Sequence, residues 1–186
     1  MAKTSTSEPA KGWPVFLAVV VAFARLGMPG ESPAIGIIPG WLSLETNLNE
    51  GALFGMGQGM GVVFATVSVA AIVGILALVS RPSTRSDGWI LLALGLIVGG
   101  IIGNLFDRLG LPGLNWHAPL AREGEPVLAV RDWIHFTLPG VIDWPIFNLA
   151  DSWLVIGAMM LLALSFLESR AIQAAGDDTP RDSERA

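Results

Sequence analysis

Residues 61–80 read Gly-Val-Val-Phe-Ala-Thr-Val-Ser-Val-Ala-Ala-Ile-Val-Gly-Ile-Leu-Ala-Leu-Val-Ser, twenty in a row without a charge. A bilayer core is crossed by roughly 20 residues of apolar helix, so this stretch is expected to span one. Working outward, residues 89–106 are broken only by Asn104 near their end, and residues 147–167 are apolar apart from Asn148 and Asp151 at their start. Residues 13–28 form a shorter apolar run that carries Arg25. That run has a rival reading as a secretory signal peptide, because Lys3 and Lys11 precede it and Ala22-Phe23-Ala24 supplies a small-x-small cleavage pattern.

Composition supports the membrane reading. Apolar residues are 52% and charged residues 15% of 186, and the mean hydropathy is +0.59. Ordinary soluble domains carry about 25% charge. A disordered chain is excluded by this apolar content. With 11 Lys+Arg against 16 Asp+Glu there is no basic excess to hold nucleic acid. The absence of cysteine removes disulfides, thiolate metal sites and cysteine nucleophiles together. The expected architecture is an all-α membrane protein with four transmembrane helices, about 13–28, 61–80, 89–106 and 147–167. Two extracytoplasmic loop regions complete it, the first with room for a small β element. Residues 1–12 read as a disordered N-terminus and 168–186 as a polar tail.

Orientation follows from positive charge. With four spans, Lys3, Lys11, Arg81, Arg85, Arg170, Arg181 and Arg185 share one side, and Arg108, Arg122, Arg131 and Arg25 the other. Seven cations against four put both termini in the cytoplasm and residues 29–60 and 108–145 outside. Gly95, Gly99 and Gly103 recur every fourth residue along the third span, a spacing that lets a neighbouring helix approach closely.

Polar groups inside membrane helices are costly and are functional candidates by default. Asn104-Leu-Phe-Asp107-Arg108 closes the third span and Asn148-Leu-Ala-Asp151 opens the fourth. Both are Asn-x-x-Asp, and residues three apart share a helical face. Taken singly, Asp107–Arg108 is an interfacial anchor and Asp151 a first-turn acid favoured by the helix dipole. Their coincidence at one depth favours a functional reading. A third acid, Asp132, stands between Val130, Trp133 and Ile134, which suggests that its segment packs onto protein or membrane. Asp107 beside Arg108 is expected to stay ionised, which makes it a poor member of a pair that shares a proton. Two carboxylates in a partly dry site do not both ionise easily, and the pair can activate water.

The same residues admit other chemistries. His117 and His135 could join the acids around a metal, but neither has the i+4 companion of an H-E-x-x-H helix. No G-x-S-x-G elbow is present, and Ser152 reads as support for the helix start. The serious alternative is a small membrane transporter, or an ion- or lipid-binding protein, using the same acids as a relay. Against transport, the acids cluster at one face and four short helices leave little room for alternating access.

Gly103-Asn104-x-x-Asp107-Arg108, Val130-Arg-Asp132-Trp-Ile134 and Phe147-Asn148-x-Ala150-Asp151 with Gly157 resemble, in order, the signature segments of lipoprotein signal peptidase (signal peptidase II). Pro39-Gly-Trp-Leu-Ser-Leu44 and Asn49-Glu-Gly-Ala-Leu-Phe54 resemble two upstream segments of that family. The resemblance covers about residues 13–167. It implies a four-helix inner-membrane aspartyl endopeptidase that cuts diacylglyceryl-modified prolipoproteins and needs no cofactor or metal. It makes Asp132 and Asp151 the catalytic pair and gives Asn49, Asn104, Asp107, Arg108 and Asn148 supporting or substrate-binding roles. It also implies a retained first helix, a monomer, and membrane lipid as the surroundings. Two departures stand out. Residues 21–27 hold Arg25 but no acid where the family often has one. The 25 positions from Asp107 to Asp132 exceed the usual link, which makes residues 110–126 a surface excursion beside the site. Trp41, Trp133, Trp144 and Trp153 are placed to anchor the boundary at headgroup depth.

Overall fold

The computed structural model describes residues 28, 29, 31, 33–51 and 56–177. Helix α1 covers Gly61–Val79, α2 Gly88–Arg108 and α3 Leu149–Asp177, with a single helical turn at Pro82–Arg85 between the first two. These three are the helices among the described residues that are long and apolar enough to cross a membrane. The expected first span, the signal-peptide reading of it, and the acid-free segment 21–27 lie outside the described residues, except for Met28. So do residues 1–12 and 178–186.

All-α was too simple an expectation. Strands β1 (Ile35–Ile38), β2 (Leu42–Asn49), β3 (Val130–Leu138) and β4 (Ile142–Asp143) form an antiparallel sheet in the order β1-β2-β3-β4. The sheet joins both connecting regions rather than only the first. A second difference concerns the C-terminal end. Helix α3 runs ten residues past 167, through Glu168 and Arg170, where a polar tail was expected. Glu168, Arg170, Gln173 and three alanines make up most of this stretch, and all are strong helix formers.

Helix α1 buries none of its residues, and Val62, Val67, Val73 and Leu76 are exposed around it. A helix apolar all round is at home in lipid. Helices α2 and α3, by contrast, cross in intimate contact. A Cβ on Gly100 would stand 2.4 Å from the Ala150 carbonyl oxygen, and one on Gly157 would stand 2.6 Å from that of Ala93. The glycine stripe therefore does pack, but on a face shifted from the expected one. Gly99 and Gly103 meet Trp153 and Ala150, whereas Gly95 has nothing within 4 Å.

The ends of α2 are well defined. Asp87 caps its start, accepting the N–H groups of Trp89 (2.8 Å) and Ile90 (3.1 Å). At the other end Gly110 turns the chain at φ +67°. Its N–H donates to the Asp107 carbonyl, and that of Leu111 donates to Phe106. This paired closure is a Schellman motif, and it stops the helix immediately after Asp107 and Arg108.

Residues 110–126 are tied down on both sides. The Arg122 guanidinium lies 4.3 Å over the Trp116 ring and donates to Glu50 at 2.6 Å. His117 pairs with Glu31 at 2.6 Å. Leu114 and Trp116 pack on a small core of Met28, Val127 and Ala129. The excursion thereby staples the segment before β1 and the end of β2 to the loop that precedes β3.

Candidate active site

The sheet and the two crossing helices bring the sequence-selected residues together. On β3, Ile134 exchanges backbone hydrogen bonds with Phe147, the residue before Asn148. That bridge fixes Asp132, two residues back along the strand, against the start of α3. Across the ladder, β2 carries one extra residue between Leu44 (opposite Ile134) and Asn47 (opposite Asp132). The bulge turns Asn47 and Asn49 toward the Asp132 side; such bulges commonly re-aim side chains beside functional sites.

Asn148 is the hub of what results. Its Nδ2 donates to Asp132 Oδ1 at 2.7 Å and to Asn104 Oδ1 at 3.0 Å. Its Oδ1 accepts the backbone N–H of Asp151 at 3.0 Å, while its own N–H donates to Asp151 Oδ2 at 3.2 Å. This is a capping box built from Asn and Asp. A backbone N–H can only donate, so the orientation of the Asn148 amide is determined by it, and Asn104 must follow. Asn104 then donates to Asp151 Oδ1 at 2.7 Å. Asn49 donates to Asp132 Oδ2 at 3.1 Å. Every oxygen of Asp132 and Asp151 thus has a donor, and the two acids are joined through Asn148 and Asn104.

Asp132 is 2% exposed, and Asn104 and Asn148 are buried with it. Its removal from water pushes the Asp132 carboxyl up to about 6. The neighbouring charge of Asp151 acts in the same direction, while the amides of Asn49 and Asn148 and the Arg108 charge oppose it.

Asp107 is buried too, but its partner is not its sequence neighbour. Adjacent residues on a helix point in different directions. Asp107 Oδ2 accepts the backbone N–H of Arg131 at 2.9 Å, and Oδ1 accepts Arg131 Nη2 at 2.8 Å. It therefore clamps β3 to the end of α2 one residue before Asp132. Arg108 instead donates to the Gly51 carbonyl at 2.6 Å and stacks its guanidinium over Phe64. Ser152 hydrogen-bonds back to the Asn148 carbonyl, supporting the helix start. The two histidines are engaged elsewhere, His117 with Glu31 and His135 with Glu45 and Asp143.

Two residues of the site were not singled out in the sequence. Arg131 carried no signal, since its partner lies 24 positions away. Asn47 is exposed directly across the ladder from Asp132, a pairing that its sequence position does not announce.

Comparison with known proteins decides the family. The family model of Signal peptidase (SPase) II matches residues 16–167. The chain belongs to the signal peptidase II family. Members of this aspartic-type peptidase family include a "Lipoprotein signal peptidase" of Rhodopirellula baltica, 39% identical over 182 residues, covering 89% of this chain and 77% of the relative. One of Geobacillus thermodenitrificans is 34% identical, covering 80% and 78%. A Streptomyces coelicolor relative is 38% identical, but the match spans only 56% of its length. Two solved structures, each described as a bacterial membrane enzyme, share the fold seen here. Both superpose with a TM-score of 0.57, at 22% identity (93% of this chain, 85% of the other) and 23% identity (87% and 97%).

Proposed function

We propose that Asp132 and Asp151 form the catalytic pair of a peptidase that removes the signal peptide from diacylglyceryl-modified prolipoproteins. The observation that carries this reading is the buried Asp132 linked to Asp151 through Asn148 and Asn104. Burial favours the proton on Asp132, which leaves Asp151, in the first turn of α3, to serve as the base.

In the resulting mechanism one water sits between the carboxylates. Asp151 takes its proton as the water oxygen attacks the scissile carbonyl. Asp132 donates a hydrogen bond to that carbonyl and then protonates the leaving amine. Asn49, Asn104 and Asn148 hold the two carboxyl groups in register, and Asn47 is positioned to meet the substrate backbone. Residues 13–28 supply a fourth span, both termini are cytoplasmic, and the site lies near the outer face of the bacterial inner membrane. The enzyme acts as a monomer on a substrate that arrives laterally with its acyl chains still in lipid.

A gel-shift cleavage assay on a purified diacylglyceryl-modified prolipoprotein tests this. Wild type should cut, with or without EDTA, while Asp132→Asn and Asp151→Asn should not. Retained cleavage in both variants removes the dyad. If wild type cuts nothing, flux measurements in vesicles address the transporter alternative.

A further inference from the structure

The excursion at residues 110–126 is rooted in the strand that carries Asp132. Its two limbs are zipped by backbone hydrogen bonds. The Trp116 N–H donates to the Glu125 carbonyl and the Gly124 N–H to that of Trp116, both at 2.9 Å, and the Val127 N–H donates to Leu114 at 2.8 Å. A bridge between Asn115 and Pro126 lies between them. From Val127 the chain runs on into β3, whose first residue, Val130, stands opposite Asn49 at the end of β2. The base of this folded limb is therefore beside the site.

One side chain carries the limb's reach further. Arg122 ends a single helical turn at Leu120–Arg122 and rests its guanidinium on the Trp116 ring at 4.3 Å. From there it donates to Glu50 at 2.6 Å and to Glu125 at 3.3 Å. Trp116 is itself packed on Met28, Val127 and Ala129, so the cation stands on a fixed ring. Glu50 lies between Asn49 and Gly51, and both of those neighbours touch the site. The Asn49 amide accepts the Gly51 N–H at 2.9 Å and donates to Asp132 Oδ2 at 3.1 Å. The Gly51 carbonyl accepts from Arg108 at 2.6 Å. Glu50 and Gly51 lie past the end of the β2–β3 ladder, where side-chain ties take over from strand pairing. An ordinary surface ion pair contributes little. The Glu50–Arg122 pair is partly buried, braced by an aromatic ring, and joins segments 72 positions apart.

We propose that Arg122 is a positioning residue for the reaction: through Glu50 it fixes the turn that aims the Asn49 amide at Asp132, which makes the excursion part of the active site. This rests on Asp132 as a member of the catalytic pair. The Asn49 amide favours the ionised carboxylate, so slackening it pushes the Asp132 carboxyl further up. Asp151 on α3, Arg108 on α2 and the Asp107–Arg131 pair also face or flank Asp132, and the variants below leave all four in place.

Arg122 and Glu50 line the cleft between α1 and α2, so lost cleavage would not separate positioning from substrate binding. The readout is therefore taken without substrate. The infrared C=O band of the protonated Asp132 carboxyl, identified as the band missing in Asp132→Asn, is followed against pH in the full chain in nanodiscs. Asn49→Ala sets the upper end of the displacement. Arg122→Gln and Glu50→Ala should each move the midpoint up by about 0.5 in pH, and so should the variant carrying both. His117→Gln, which cuts the excursion's other tie, should leave the midpoint at its wild-type position. The two single variants remove charges of opposite sign, so a field effect alone moves their midpoints apart, up for Arg122→Gln and down for Glu50→Ala. That divergence overturns the proposal, as do wild-type midpoints in both. An equal rise in His117→Gln also overturns it, because the whole excursion and not Arg122 would then be acting. Should Arg122→Gln fail to fold by thermal unfolding, Glu50→Ala decides alone, since positioning and field predict opposite signs for it. The band reports the Asp132 proton whether or not the protein cuts a prolipoprotein, so failure here is distinct from failure of the catalytic pair.

Discussion

Asn148 holds Asp132 by its side-chain amide at 2.7 Å while capping the helix that carries Asp151. One residue therefore performs a structural task and a positioning task, and substitutions can separate them. Asn148→Asp keeps an oxygen for the Asp151 N–H but presents an acceptor to Asp132 where a donor stood. Its kcat should fall by about 100-fold, the scale of a small misplacement of catalytic groups. Asn148→Ala removes both functions and should also lose about 1 kcal/mol of stability from the cap alone. Wild-type kcat in Asn148→Asp would show that the amide bridge is irrelevant.

The raised pKa of Asp132 predicts two pH effects. In the cleavage reaction, the protonated form is lost as pH rises through about 6, so kcat/KM should fall on an alkaline limb set by the coupled pair. In stability the sign is that of a raised acid. The folded state binds the proton more tightly than the unfolded one. The contribution is fully present below the ordinary value of 3.8 and is lost as pH passes about 6. A shift of this size corresponds to at most about 3 kcal/mol. Asp132→Asn removes it, so the variant should gain on wild type between pH 4 and pH 7.5 in thermal unfolding. An unchanged gap at the two pH values would contradict the burial argument.

Asp107 should behave as a clamp rather than as a reacting acid. Asp107→Asn retains an acceptor for the Arg131 N–H and should keep partial activity, whereas Asp132→Asn keeps none. Arg131→Lys preserves charge but not the guanidinium fork. It should lower kcat with little change in KM. Arg131→Met leaves a buried carboxylate unpaired and should destabilise by about 3 kcal/mol. Complete loss of cleavage in Asp107→Asn, with the fold intact by thermal unfolding, would return Asp107 to the catalytic pair.

Much of this site was legible because helical periodicity is local. Asn104–Asp107 and Asn148–Asp151 share faces by spacing alone, and the structure places Asn104 and Asn148 in contact. What was not legible depends on pairing between distant segments. The sheet could not be read from residues 130–138, because Arg131, Asp132 and His135 break the alternation of apolar and polar positions that announces a half-buried strand. Those polar residues sit in the strand because Asp107, Asn148 and Glu45 receive them. The Asp107–Arg131 pair was hidden by the nearer Arg108, which helix geometry turns away. Helix α3 beyond residue 167 was hidden by its charges, which mark departure from lipid but not the end of a helix.

The shifted glycine face supplies the sharpest test of how α2 and α3 hold the asparagine bridge. Gly100 sits one turn before Asn104, and an added Cβ there meets backbone at 2.4 Å, which a side-chain rotation cannot relieve. Gly100→Ala must therefore push the helices apart. It should cost about 1–3 kcal/mol as overpacking does, and it should lengthen the Asn104–Asp151 contact, lowering kcat. Gly95→Ala, with open space around it, should change stability by no more than about 0.5 kcal/mol and leave kcat untouched. Thermal unfolding and initial cleavage rates of the two variants, measured side by side, distinguish the faces. Equal losses would mean that the whole stripe packs as its four-residue spacing suggested, and that the crossing at Gly100 does not set the distance between Asn104 and Asp151.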